Sequence, residues 1–348
     1  MSGVPNDIVS NELVAAPAVV VLVIDGLGWF QLQRWAERAP VMSGLGERVQ
    51  RAEAVPITTV APSTTAAALT SITTGVGPGE HGLIGYRVPT AAGVMNSLRW
   101  WASGREVQQE VPPAEMQPVE PFLGRPVTVV TRSEFRGTGF TAAHLRGADW
   151  AGWYTPYTLV TQAVEAVEQG QRMVYAYYDG LDKVGHVHGL GVHFQAELAF
   201  ADHLVERLVM ALPAGTQVVV TADHGMIEVA DRLVPVHPSV LSGVAYSSGE
   251  ARFMWLHARR GAAGDVLDAA AVHENEGWVV GREQVLDEGW LGPRVRHEAR
   301  ERLGDVALVG REPVAFVEPD APDSPLLVGR HGGLTAEEMV VPMLRFLA

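Results

Sequence analysis

Five short apolar runs recur along the chain, and each ends at a polar or glycine-containing turn. AVVVLVI (18–24) leads into Asp25, RPVTVVT (125–131) into RSEFRG, and RMVYAYY (172–178) into Asp179 and Asp182. TQVVVTA (216–222) leads into Asp223 and His224, and SPLLVG (324–329) into His331. Runs that stay apolar, rather than alternating, suit strands buried on both faces, as in a parallel sheet. Between them the pattern turns helical, in FQLQRWAER (30–38), PYTLVTQAVEAVEQG (156–170) and FQAELAFADHLVERLVMAL (194–212). The alternation predicts an α/β sandwich with helices on both faces of a mostly parallel sheet.

Residues 240–300 differ in texture. ARFMWLHARRGAAGDVLDAAAVHENEGWVVG (251–281) reads as a small strand–helix–strand unit, expected to be an inserted α+β cap over the site. The expected organisation is a catalytic core over 1–239, a cap over 240–300 and a return to the core over 301–348. DVALVGREPVAFVEP (305–319) reads as strands rejoining the main sheet, and VQQEVPPAEMQPVEP (107–121) as a solvated loop.

Ligands of open α/β sheets bind beyond the carboxyl ends of the strands. Asp25, Asp182, Asp223, His224 and His331 all follow predicted strands, so parallel strands would gather them at one edge. Asp182 and His186 are four apart, which on a helical turn puts both on one face. A carboxylate ending a buried strand is costly unless paired or bound to metal. Three carboxylates and three imidazoles at one edge suit two zinc ions, or another divalent first-row metal such as manganese.

The stretch APSTTAAALTSITTG (61–75) adds a hydroxyl at a helix start. Pro62 marks a non-helical approach, and Ser63 or Thr64 can cap the helix that follows. Free N–H groups and the helix dipole favour an anion in such a first turn. A threonine oxygen touching a metal there becomes accessible as an alkoxide nucleophile.

Composition narrows the partners. With 26 Lys and Arg against 40 Asp and Glu, the net charge is −14. That balance argues against nucleic acid or an anionic membrane, both of which need a basic face. A small phosphorylated substrate remains open, because bound metal can supply positive charge. There are no cysteines, so any metal site must use His and carboxylate ligands. The first apolar run has no basic residue before it and no small-residue cleavage pattern after it. It reads as a strand, not a signal peptide, and no stretch approaches the length of a membrane span. A cytoplasmic location is the expectation.

Together these motifs resemble the alkaline phosphatase superfamily, and within it the type I phosphodiesterase and nucleotide pyrophosphatase family. The resemblance rests on order and spacing: strand-Asp-Gly at 25–26, P-x-x-T before a helix closing at Gly75, D-x-x-x-H-x-x-G at 182–189, D-H-G-M at 223–226, and His331-Gly332. It implies a three-layer α/β/α sandwich and a two-metal phosphoric ester hydrolase. One ion would be held by Asp25, Thr65, Asp223 and His224, the other by Asp182, His186 and His331. Ten residues before Gly75 and three after Pro62 both give Thr65 as the implied nucleophile, passing through a phospho-threonine. A nucleotide or phosphodiester is the implied substrate. Where the family's diesterases carry an Asn after EHG, this chain has Tyr86 followed by Arg87, the candidates for contacting the phosphoryl group. That departure keeps phosphomonoesterase activity as an alternative, and a phosphonoacetate hydrolase, which would share the threonine and two zincs, is another. The rival from another class, an inactive metal- or partner-binding module, would be expected to lose a ligand or the nucleophile, and none is lost.

Overall fold

The computed structural model describes residues 15–318 and 327–348. Its main sheet has seven strands: β1 (Val19–Ile24), β2 (Arg51–Thr58), β3 (Thr128–Arg132), β4 (Asp149–Trp153), β5 (Met173–Tyr178), β6 (Gln217–Thr221) and β7 (Val340–Leu347). Their order is β2-β7-β6-β1-β5-β3-β4. The five from β6 to β4 run parallel, and β7 is antiparallel to both its neighbours. The parallel strands include four of the predicted apolar runs.

Burial on both faces accounts for those runs. On one face Val20, Leu22, Ile24, Val174, Ala176, Val218 and Val220 pack against the long helices, including Leu159, Ala163, Leu198 and Leu208. The helix Pro156–Glu168 opens with a Thr155/Thr158 capping box and proline at its first position, which satisfies orphan amides where the chain leaves β4. On the other face Val23, Val129, Tyr175 and Tyr177 meet helix α1 (Thr65–Thr74) through Ala66 and Leu69.

Behind α1 lies a second, eight-stranded sheet. It joins strands between residues 87 and 106 to strands between 244 and 310, so the stretch 240–300 does not form a sheet by itself. Val306–Gly310 pairs within this second sheet, and Ala315–Val317 pairs with Leu233–Pro235. The expectation that 305–319 rejoins the main sheet is therefore corrected: the chain re-enters it only at β7. Alternation explains the misreading. Ala307 and Val309 face the core around α1, while Val306 and Leu308 face a third cluster with Met254, Leu256, Val266 and Phe316. A strand buried on both faces looks the same in either sheet. The loop 107–121 is not simply solvated either, because Val107, Val111, Met116 and Gln117 are buried in it. Among the described residues, no helix is long and apolar enough to cross a membrane.

Candidate active site

The carboxyl ends of β1, β5 and β6 converge beside the start of α1. Asp25 follows β1, and Asp223 with His224 follows β6. After β5 the chain enters helix α2 (Gly180–His188), which carries Asp182 and His186 one turn apart. Gly26, at φ +76°, permits this closeness: a Cβ there would lie 3.1 Å from Cα of Asp182. Its amide donates to Asp223 Oδ1 at 3.3 Å.

His331 arrives differently from the sequence expectation. Of SPLLVG, residues 324–326 lie outside the described residues. The chain before His331 forms only a two-residue strand, Gly329–Arg330, antiparallel to Ile227–Glu228 and outside the main sheet. His331 still reaches the cluster, with its ring stacked on His224 at 3.6 Å and 11°.

Two overlapping groups result. Asp25, Asp223 and His224 present ligand atoms within 4.8 Å of one another, as do Asp182, His224 and His331. His224 Nε2 lies 3.3 Å from Asp25 Oδ1 and 3.4 Å from Asp223 Oδ2. His186 Nε2 is 3.3 Å from Asp182 Oδ1 and 3.2 Å from His331 Nε2. The Thr65 hydroxyl, in the first turn of α1, is 3.2 Å from His224 Nε2. The structure thus brings Asp25, Thr65, Asp182, His186, Asp223, His224 and His331 to one place.

The imidazole tautomers follow from their outer partners. Nδ1 of His186, His224 and His331 faces the carbonyl of Gly329, Gly225 and Ser63 at 2.8, 2.9 and 3.0 Å. A carbonyl only accepts, so each Nδ1 carries the proton and each Nε2 turns a lone pair inward. Two such lone pairs 3.2 Å apart call for a cation between them. The carboxylates make the same demand, since Asp25 Oδ1, Asp182 Oδ1 and Asp223 Oδ2 are buried without a hydrogen-bond partner. Burial, then the neighbouring Asp223 and Asp182, pushes Asp25 well above the usual carboxylate range. Asp182 and Asp223 are raised too, chiefly by burial. Burial, then His224 and His186, holds His331 well below the usual imidazole range. Groups so short of positive charge, with oxygen and nitrogen donors and carbonyl-fixed tautomers, fit divalent metal ions such as zinc.

The two candidates for contacting a phosphoryl group have partners of their own. The Arg87 guanidinium donates to the carbonyl and hydroxyl of Ser247 at 2.9 and 3.2 Å, on the second sheet. The Tyr86 hydroxyl accepts from Asn96 Nδ2 at 2.7 Å. Neither makes a hydrogen bond to the cluster. Asp179 is engaged by Arg132 Nε at 2.8 Å and Lys183 Nζ at 2.6 Å, which leaves Asp182 facing the cluster. The expected cap is also corrected. Thr64 stands at the N-cap position of α1 but makes no side-chain cap bond. Ser63 Oγ donates to the Gly333 carbonyl instead. The remaining hydroxyls of α1 are structural: Thr70, Thr73 and Thr74 bond back to carbonyls four residues earlier, and Ser71 meets His81.

Sequence reasoning missed Tyr177, whose hydroxyl donates to Asp25 Oδ2. In RMVYAYY it reads as one more apolar strand residue; the only signal was a polar tip directed at a strand end.

The family model for type I phosphodiesterase / nucleotide pyrophosphatase matches residues 19–334. The chain belongs to that family and is a phosphoric ester hydrolase. No match was found among curated proteins. Among solved structures, murine ectonucleotide pyrophosphatase / phosphodiesterase 5 is similar with a TM-score of 0.70 and 16% identity, over 94% of this chain and 87% of that one. An inactive Thr-to-Ala variant of the murine protein in complex with AMP gives a TM-score of 0.69 at 16% identity, with the same coverage. Phosphonoacetate hydrolase from Sinorhizobium meliloti 1021, in complex with phosphonoformate, gives 0.67 at 19% identity, over 94% of this chain and 89% of that one. At these identities the likenesses show the fold, an alkaline-phosphatase-like α/β sandwich.

Proposed function

We propose that Thr65 is the nucleophile of a two-metal phosphodiesterase or nucleotide pyrophosphatase, acting through a covalent phospho-threonine. The observation that carries this is the Thr65 hydroxyl, set at a helix N-terminus against the inward lone pair of His224 and beside unpaired buried carboxylate oxygens. Asp25, Thr65, Asp223 and His224 would hold one ion, and Asp182, His186 and His331 the other, with zinc preferred and manganese tolerated. Such ions would supply the positive charge that acidifies the threonine hydroxyl and offsets the phosphoryl oxygens.

The chain's own part is positioning. Thr65 Oγ attacks phosphorus in line, the Thr65–phosphorus bond forms and the bond to the leaving ester oxygen breaks. Amides of Thr65, Ala66 and Ala67 precede the first intrahelical bond of α1, from Ala68 to Thr64, and favour the anion there. Water then cleaves the phospho-threonine, releasing the phosphate product and restoring the hydroxyl. Tyr177 holds one oxygen of Asp25 and leaves the other for metal.

A nucleotide or other small phosphodiester is the substrate this reading favours, supported by family membership and by the AMP complex of the murine structure. Phosphonate cleavage is the second reading, favoured by the likeness to the phosphonoacetate hydrolase. The test is hydrolysis of bis-p-nitrophenyl phosphate, p-nitrophenyl phosphate and phosphonoacetate with zinc or manganese supplied. The diester should be cleaved fastest. Faster turnover of phosphonoacetate would replace the first reading by the second, and inertness toward all three would sink both.

A further inference from the structure

In the second sheet, strands Val244–Glu250 and Phe253–Ala258 form a hairpin, and its turn meets Gly332 and Glu338. Arg252, in that turn, is fully buried. Its Nε and one terminal nitrogen bind the two carboxylate oxygens of Glu338 at 3.0 and 2.7 Å. Its other bonds go to the carbonyls of Gly310, Glu312 and Val314 at 2.9, 2.6 and 2.6 Å.

Glu338 passes this grip onward. Its carboxylate also accepts from the Gly333 amide at 2.9 Å and the Thr335 hydroxyl at 2.7 Å. Its carbonyl accepts from the amide of Gly225, the neighbour of His224, at 2.8 Å. Ser63 Oγ donates to the Gly333 carbonyl at 2.7 Å and accepts from the Gly332 amide at 3.2 Å. The Ser63 carbonyl takes the Nδ1–H of His331. Glu250 closes the other side of the same loop: a Cβ at Gly332 would lie 2.4 Å from its Cδ. A loop with two glycines after His331 has little stiffness of its own, so these bonds decide where the imidazole stands.

We propose that Arg252 and Glu338 are positioning residues that clamp the Gly332–Gly333 loop and, with Ser63, set His331 in register with Thr65. The second sheet then serves as a buttress for the half of the centre built on Asp182, His186 and His331. This rests on the reading of those three residues as metal ligands. A buried ion pair can often be exchanged for apolar residues of similar volume at little cost in stability.

That equivalence supplies the test. Arg252→Met with Glu338→Leu removes the clamp while keeping the volume, and Ser63→Ala is the milder second variant should the double one not fold. Zinc stoichiometry and affinity by chelator competition, melting temperature, kcat and KM are measured for each. The wild type should hold two ions. Each folded variant should keep one ion at wild-type affinity, bind the other about 10-fold or more weakly, and lose kcat with KM little changed. A folded variant with both affinities and kcat intact overturns the inference. Equal weakening of both ions with a lowered melting temperature, the mark of general loosening, overturns it too. A wild type that holds no zinc would instead strike the metal reading, and this inference with it.

Discussion

The two halves of the candidate centre are built from different material. Asp25, Asp223 and His224 stand at the ends of β1 and β6, neighbouring parallel strands whose register runs unbroken from Val19 to Val23. Asp182 and His186 stand on a nine-residue helix, and His331 on a loop beside a two-residue strand. A strand end places a side chain through its ladder. A glycine-flanked loop places one only through its contacts, here Ser63, Gly333 and Glu338. The strand-built half should therefore tolerate remote change, and the loop-built half should depend on it.

His224 is where the halves meet, since it belongs to both groups of candidate ligands. His224→Ala is expected to have the largest effect: both ions weakened and turnover lowered on the order of ten-thousandfold. His331→Ala should remove one ion and leave the other, as metal analysis would show. If both variants lose both ions alike, the halves are not separable. Thr65→Ala comes next, expected to lower kcat about a thousandfold or more even at zinc concentrations that fill both sites; recovery of turnover on adding zinc would make Thr65 a metal ligand only. Tyr177→Phe should weaken the strand-built ion about 10-fold, because Asp25 loses the donor that orients it. Unchanged affinity would make that hydrogen bond incidental.

The smallest expected effect sharpens the comparison from outside the site. Asp202 is also a buried carboxyl, but its oxygens accept from the amides of Val41 and Met42 at 3.1 and 2.7 Å. Burial still pushes it up to about 6, above the ordinary value of about 3.9. The native state therefore holds that proton more tightly than the unfolded chain. The resulting stability is full below about pH 4 and lost as pH rises through about 6. Asp202→Asn should remove that component of the melting-temperature profile by a few degrees or less and leave zinc binding unchanged. An altered zinc count would show that Asp202 and the centre are coupled.

The strand-built half was the more legible in sequence. Apolar runs stopped by Asp25 and by Asp223-His224 are local signals, and burial on both faces of β1 and β6 preserves them. Asp182 and His186 were legible by helical spacing. The approach of His331 was not, because a two-residue strand leaves no periodic trace. Nor were Ser63, Arg252 and Glu338, whose roles depend on partners as far as 270 residues away. The second sheet was misdrawn for the same reason: Val306–Gly310 carries the pattern of a core strand, and pairing alone decides which core. The hydroxyls of Thr70, Thr73 and Thr74, unexplained in sequence, serve the interior of α1 by bonding back along it.

The central claim, a covalent step on Thr65, is tested most directly by the stereochemistry at phosphorus. A chiral phosphorothioate diester, hydrolysed in isotopically labelled water, would pass through two in-line displacements if the phospho-threonine forms. Net retention of configuration is the expected result. Net inversion would mean that water attacks the substrate directly and that Thr65 never bonds to phosphorus.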